Sequence, residues 1–130
     1  MKTKIATDAA PAPLPVFSQA VRKGQVLAVS GQGGADPATG EFSPEVAAQT
    51  TRTLEHVRAI LEAAGSSFED VIMLRIYLTT QADFPAMNGA YTDFMAEHVP
   101  SGILPARTTV FPGLPFPQML VEIDALAVVE

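Results

Sequence analysis

The chain has 130 residues, 48% of them apolar, which suits one domain around one core and is too short for two. A formal net charge of −6 with no basic stripe excludes nucleic acid and anionic membrane as main partners, because neutralising phosphates takes clustered Lys and Arg. The absence of cysteine removes disulfides, thiolate metal sites and cysteine nucleophiles together.

Residues 1–15, rich in Ala and Pro, read as a loose, extended lead-in to a single 1–130 domain. They carry no continuous apolar run, so neither a signal peptide nor a membrane span is expected, and a cytoplasmic location fits. Residues 16–22 and 25–30 are short strand candidates around the hairpin signal Lys23-Gly24. Residues 31–40 form a loop. Ser43-Pro44-Glu45 predicts an N-cap, a proline at the first helical position and an acid in the first turn. The series Val46, Thr50, Leu54, Val57, Leu61, Ala64 then repeats at helical spacing as far as Gly65. Residues 68–79 predict a strand and 82–98 a second helix, with Phe84, Met87, Tyr91 and Phe94 on its inner stripe. After a loop at 100–105, residues 106–111 and 118–129 are the last strands, joined by the Pro- and Gly-rich turn 112–117.

The order β-β-α-β-α-β-β predicts an α+β fold, with a mixed sheet and both helices packed on one face. Val71-Ile72-Met73-Leu74 and Met119-Leu120-Val121 are apolar at odd and even positions alike, so both faces of these strands call for burial. The face without helices is therefore expected to meet another subunit, with a ligand site in the cleft between subunits.

Two charges stand out against this apolar background. Arg107 lies in Pro105-Ala106-Arg107-Thr108-Thr109-Val110, and Glu122 lies in Val121-Glu122-Ile123. Charges are costly to bury unpaired, and a guanidinium grips a planar carboxylate through two parallel hydrogen bonds, so the pair reads as a site for a small acid. A buried Arg107–Glu122 salt bridge, or two edge residues reaching solvent, are the alternatives.

Other candidates are weaker. His56 and His98 read as solvated helix residues with no metal-ligand spacing, so no metal is expected. Gly31-Gln32-Gly33-Gly34 lacks a following Lys-Ser/Thr and reads as a turn rather than a phosphate loop. Ser18 has no His partner for a nucleophilic triad. Asp124 shares a strand face with Glu122 and either supports it or meets solvent. Asn88 beside Gly89 is a poor choice for helix stability, which favours either a functional role or a polar contact to a neighbouring loop.

Seven elements occur in order along the chain: Val16-Phe17-Ser18-Gln19-Ala20-Val21, Val29-Ser30-Gly31-Gln32, Pro37-Ala38-Thr39-Gly40, Gln49-Thr50, Asn88-Gly89-Ala90-Tyr91, Pro105-Ala106-Arg107 and Val121-Glu122-Ile123. Together they resemble the motif series of the RidA family of reactive-intermediate deaminases. The resemblance implies a chorismate-mutase-like fold, a homotrimer with active sites at subunit clefts, and hydrolysis of 2-imino acids and their enamine tautomers, such as 2-aminoacrylate, to 2-oxo acids and ammonia. It implies that Arg107 holds the substrate carboxylate, that Glu122 orients or activates water, and that Ser30, Gly31 and Asn88 line the pocket. An iminium carbon is already electrophilic, so no cofactor is expected.

This chain departs from the family pattern at several points. Phe17 stands where the family carries a pocket tyrosine, Thr108 and Thr109 follow the arginine where Ser and often Cys are usual, and the loop before Arg107 is slightly longer. The alternative to an enzyme is a module that binds a small carboxylate, or a protein partner, in the same cleft without turnover.

Overall fold

A computed structural model describes all of residues 1–130. Six strands form one sheet: β1 (Thr3–Ile5), β2 (Ala20–Lys23), β3 (Val26–Gln32), β4 (Val71–Leu78), β5 (Ala106–Val110) and β6 (Val121–Val128). The spatial order is β1-β2-β3-β6-β4-β5, with β4 and β5 parallel and every other pair antiparallel. Two helices, α1 (Val46–Ala63) and α2 (Phe84–His98), pack together on one face. The mixed α+β architecture is the expected one.

Strand alternation divides the sheet cleanly. Leu27 and Val29 of β3, Leu74, Ile76 and Leu78 of β4, and Val121, Ile123, Ala125 and Ala127 of β6 are buried beneath the helices. They meet Leu54, Val57, Ile60 and Leu61 of α1 and Met87, Tyr91, Phe94 and Met95 of α2 in one cluster of 24 side chains. Phe68 and Phe94 lock edge to face inside it, with ring centroids 5.2 Å apart. Each large apolar side chain so buried contributes about 1.5–3 kcal/mol. The opposite face carries no helix. Val26, Ile72 and Leu126 remain exposed there, around a polar centre in which Asp124 accepts hydrogen bonds from Arg75 Nε and the Tyr77 hydroxyl, both at 2.8 Å.

Three local expectations are corrected. The lead-in 1–15 is not loose: Thr3–Ile5 pairs with β2, and the buried Gln19 side chain bonds Thr7 N, Thr7 O and Pro11 O, tying the segment to the sheet. β2 begins at Ala20 rather than at residue 16, since Val16 and Phe17 project into solvent. Ser43 does not cap α1. Its hydroxyl accepts from Glu45 N at 3.2 Å, which turns the chain into a helix that starts at Val46 with Glu45 in the cap position. The hairpin is as expected, with Lys23 opposite Val26 and Gly24 at φ +60, a conformation that suits glycine.

Candidate active site

A break in sheet register creates the first half of the site. Val29 pairs with Ala125 and Gln32 with Ile123, so Ser30 and Gly31 together oppose Asp124 in a β-bulge. The bulge brings Gly31 against the Glu122 side chain. A Cβ at Gly31 would stand 2.5 Å from Glu122 Oε2, so a side chain there would displace the carboxylate from this position. The Ser30 hydroxyl donates to Ser18 O at 2.6 Å, and its oxygen remains free to accept.

Glu122, Ser30, Gly31 and Phe17 line one cavity of about 500 Å³, whose remaining walls include Leu14, Phe42, Phe116 and Met119. Glu122 pairs with no cation. Burial, and then the charge of Asp124, push its carboxyl above the usual value. A half-buried carboxylate with raised proton affinity is suited to taking a proton from water. Asp124 does not touch it; it is committed to Arg75 and Tyr77.

The second half lies on the other face. In the parallel β4/β5 pair Arg107 aligns with Leu74 and Thr109 with Ile76, so both side chains point to the helix side at the sheet edge. The Arg107 guanidinium stacks 4.7 Å from the Tyr91 ring centroid and 5.7 Å from that of Phe84. Asn88 falls between these two rings in the helical series Phe84, Asn88, Tyr91, on the same face of α2. Arg107 pairs with no carboxylate. Aromatic faces hold its stem and charge in place while its hydrogen-bond donors stay free for a ligand.

The predicted residues thus fall into two groups. Phe17, Ser30, Gly31 and Glu122 meet at the cavity; Asn88, Arg107 and Thr109 share the β5/α2 edge. Within one chain they do not converge, and the Arg107–Glu122 salt bridge is absent because the two side chains leave opposite faces of the sheet.

His56 and His98 are not solvated. His56 is 4% exposed, and its Nδ1–H donates to Gly33 O at 2.9 Å, while burial depresses its basicity. His98 is half-buried, its ring 4.1 Å from that of Phe94. Gln49, also buried, donates to Ser43 O and Gln118 O and accepts from Leu120 N. Along α1, therefore, Gln49 and His56 suspend both walls of the cavity, the Gly33 segment and the strand leading to Glu122. Gly34 sits so close to Gln49 O that a Cβ would come within 2.7 Å, so the glycine run packs on α1 as a turn.

Residues 7–129 match the family described as Endoribonuclease L-PSP. The chain is 36% identical to the 2-iminobutanoate/2-iminopropanoate deaminase of Escherichia coli K12, over 98% of each chain. The chain belongs to the RidA family. Names within it vary: a RutC family protein of Pyrococcus horikoshii is 40% identical over 98% of each chain. The crystal structure of E. coli TdcF with bound serine superposes with a TM-score of 0.92 at 35% identity, covering 98% of this chain and 99% of that one. The helices of this family member are not long and apolar enough to cross a membrane.

Proposed function

We propose that this RidA-family protein is a metal-independent hydrolase that converts small 2-imino acids and their enamine tautomers to 2-oxo acids and ammonia. The observation that carries the reading is that both site charges are left uncommitted: Arg107 has no carboxylate and Glu122 no cation, although each is partly withdrawn from water. The deaminase name of the E. coli relative and the serine bound by TdcF, a small amino acid, agree with it.

Arg107 clamps the substrate carboxylate through two charge-assisted hydrogen bonds. Glu122 takes a proton from water as its oxygen bonds to C2, and the C=N π pair moves onto nitrogen. In the resulting carbinolamine Glu122 first returns its proton to nitrogen, and then takes the hydroxyl proton as that oxygen forms the new C=O, the C–N bond breaks and its electron pair leaves with ammonia. One water is consumed for each ammonia released.

Because Arg107 and Glu122 stand on opposite faces of one sheet, a complete site takes two copies, the cavity of one and the β5/α2 edge of the next. A homotrimer supplies three such clefts and covers the helix-free face of the sheet. A cytoplasmic setting, where such imines arise from amino acid metabolism, completes the proposal.

The test is to generate 2-iminopropanoate in situ with an amino acid oxidase and follow its decay. The protein should accelerate it. An unchanged decay, together with retained binding of pyruvate, would leave a carboxylate-binding module in place of an enzyme.

A further inference from the structure

The cavity above Glu122 is larger than a small imino acid fills. At about 500 Å³ it falls within the roughly 300–1,000 Å³ range of pockets that enclose drug-sized ligands. Its polar part is confined to one side, at Ser30, Gln32 and Glu122, and Glu122 is its only charged side chain. The rest is apolar and comes from three separate segments: Leu14 and Phe17 from the segment before β2, Phe42 from the loop before α1, and Phe116 and Met119 from the loop before β6.

Three of these side chains stand well out of the core, Leu14 at 59%, Phe116 at 53% and Phe17 at 45% exposure. Large apolar groups that a single subunit leaves uncovered around a polar floor gain free energy when an apolar ligand group fills the cleft against them. The wall is also held in position before any ligand arrives. Gln49 anchors Gln118 and Leu120 beside Met119, and His56 anchors Gly33, against which the Met119 methyl packs so closely that a Cβ at Gly33 would lie 2.7 Å from it.

Resting on the deaminase reading above, we infer that the preferred substrates are 2-imino acids with a large apolar side chain, of the kind derived from leucine or phenylalanine, over 2-iminopropanoate and 2-aminoacrylate. Once C2 is placed at the water held by Glu122, and the carboxylate faces a guanidinium that enters from outside the cavity, the remaining substituent on C2 points into the wall of Leu14, Phe17, Phe42, Phe116 and Met119. Phe17 has no hydroxyl to offer that substituent a hydrogen bond.

The experiment compares kcat/KM for the imines of alanine, leucine and phenylalanine, each generated in situ, in the full-length protein and in Phe116→Ala and Leu14→Ala. Both substituted side chains lie outside the reacting groups, so the readout is the ratio of kcat/KM between the larger imines and the alanine imine, with a thermal melt to confirm folding. The two larger imines should exceed the alanine imine by at least about tenfold, as an apolar side-chain pocket supplies. Phe116→Ala should erase most of that ratio by slowing the larger substrates far more than the alanine imine. Equal values for all three imines in the wild type, or a ratio unchanged in both variants, would overturn the inference while leaving the deaminase reading intact. Calorimetry with 4-methyl-2-oxopentanoate and pyruvate separates the opposite case: tighter binding of the larger acid without turnover of any imine would remove the deaminase reading and keep the apolar pocket.

Discussion

Arg107 and Glu122 were legible because a lone charge in an apolar strand calls for an explanation whatever the fold. What spacing could not supply was the side each one takes, since that depends on which strands pair and in which register. Arg107→Ala should lower kcat/KM for a 2-imino acid by roughly two to four orders of magnitude, the loss of two charge-assisted hydrogen bonds. Its melting temperature should stay close to wild type, because the guanidinium closes no ion pair and gives up only its stacking on Tyr91 and Phe84. Steady-state kinetics with a thermal melt separate the two effects.

Glu122→Gln retains shape and removes the proposed base, so turnover should collapse while a 2-oxo acid still binds. The same variant reports on linkage. The folded-state pKa of Glu122 is raised, so relative to the unfolded chain the native state is favoured below the ordinary carboxylate range and loses that advantage as pH rises through the raised value. Glu122→Gln should therefore melt higher than wild type at neutral pH and lose the difference at acid pH. The acid limb of the wild-type pH–rate profile should lie above the ordinary carboxylate pKa. His56 belongs to the buried α1 series Gln49, Thr53, His56, Ile60, and its burial is not legible in hydrophobic period because its polar ring is satisfied by a backbone carbonyl distant in sequence.

At the scale of elements, long periodic segments read well and short or polar ones did not. Both helices and β4 follow from hydrophobic period alone. β1 has three residues, too few to show alternation, and it exists because Gln19 and the β2 backbone hold it. The bulge at Ser30 and Gly31 puts a backbone without a side chain beside Glu122. Gly31→Ala forces the carboxylate aside, a small cost in stability because the displaced atoms are the free end of the Glu122 side chain, and activity should fall at least tenfold with little loss of secondary structure by circular dichroism. Behind the bulge, His56→Ala leaves Gly33 O without its donor, and chemical denaturation should show a loss of about 1–3 kcal/mol. The folded-state pKa of His56 is lowered, so the unfolded chain binds its proton first. Wild-type stability should thus decline as pH falls through the ordinary histidine range, and His56→Ala should flatten that decline.

For the whole molecule, the apolar residues at both odd and even strand positions pointed to a second covered face, and one face of the sheet is indeed free of helices with Val26, Ile72 and Leu126 exposed. The subunit number is not written in that pattern, because an apolar face fixes only that a partner is needed. The proposed assembly makes a demand that a self-contained subunit would not: Arg107 and Glu122 must come from different copies. Refolding an equimolar mixture of Arg107→Ala and Glu122→Gln subunits tests this directly. Each parent is inactive alone, yet random mixing in a closed ring pairs an intact Arg107 with an intact Glu122 at about a quarter of the clefts. Imine hydrolysis at roughly that fraction of the wild-type rate is the predicted result, and a mixture as inactive as its parents would contradict the shared site.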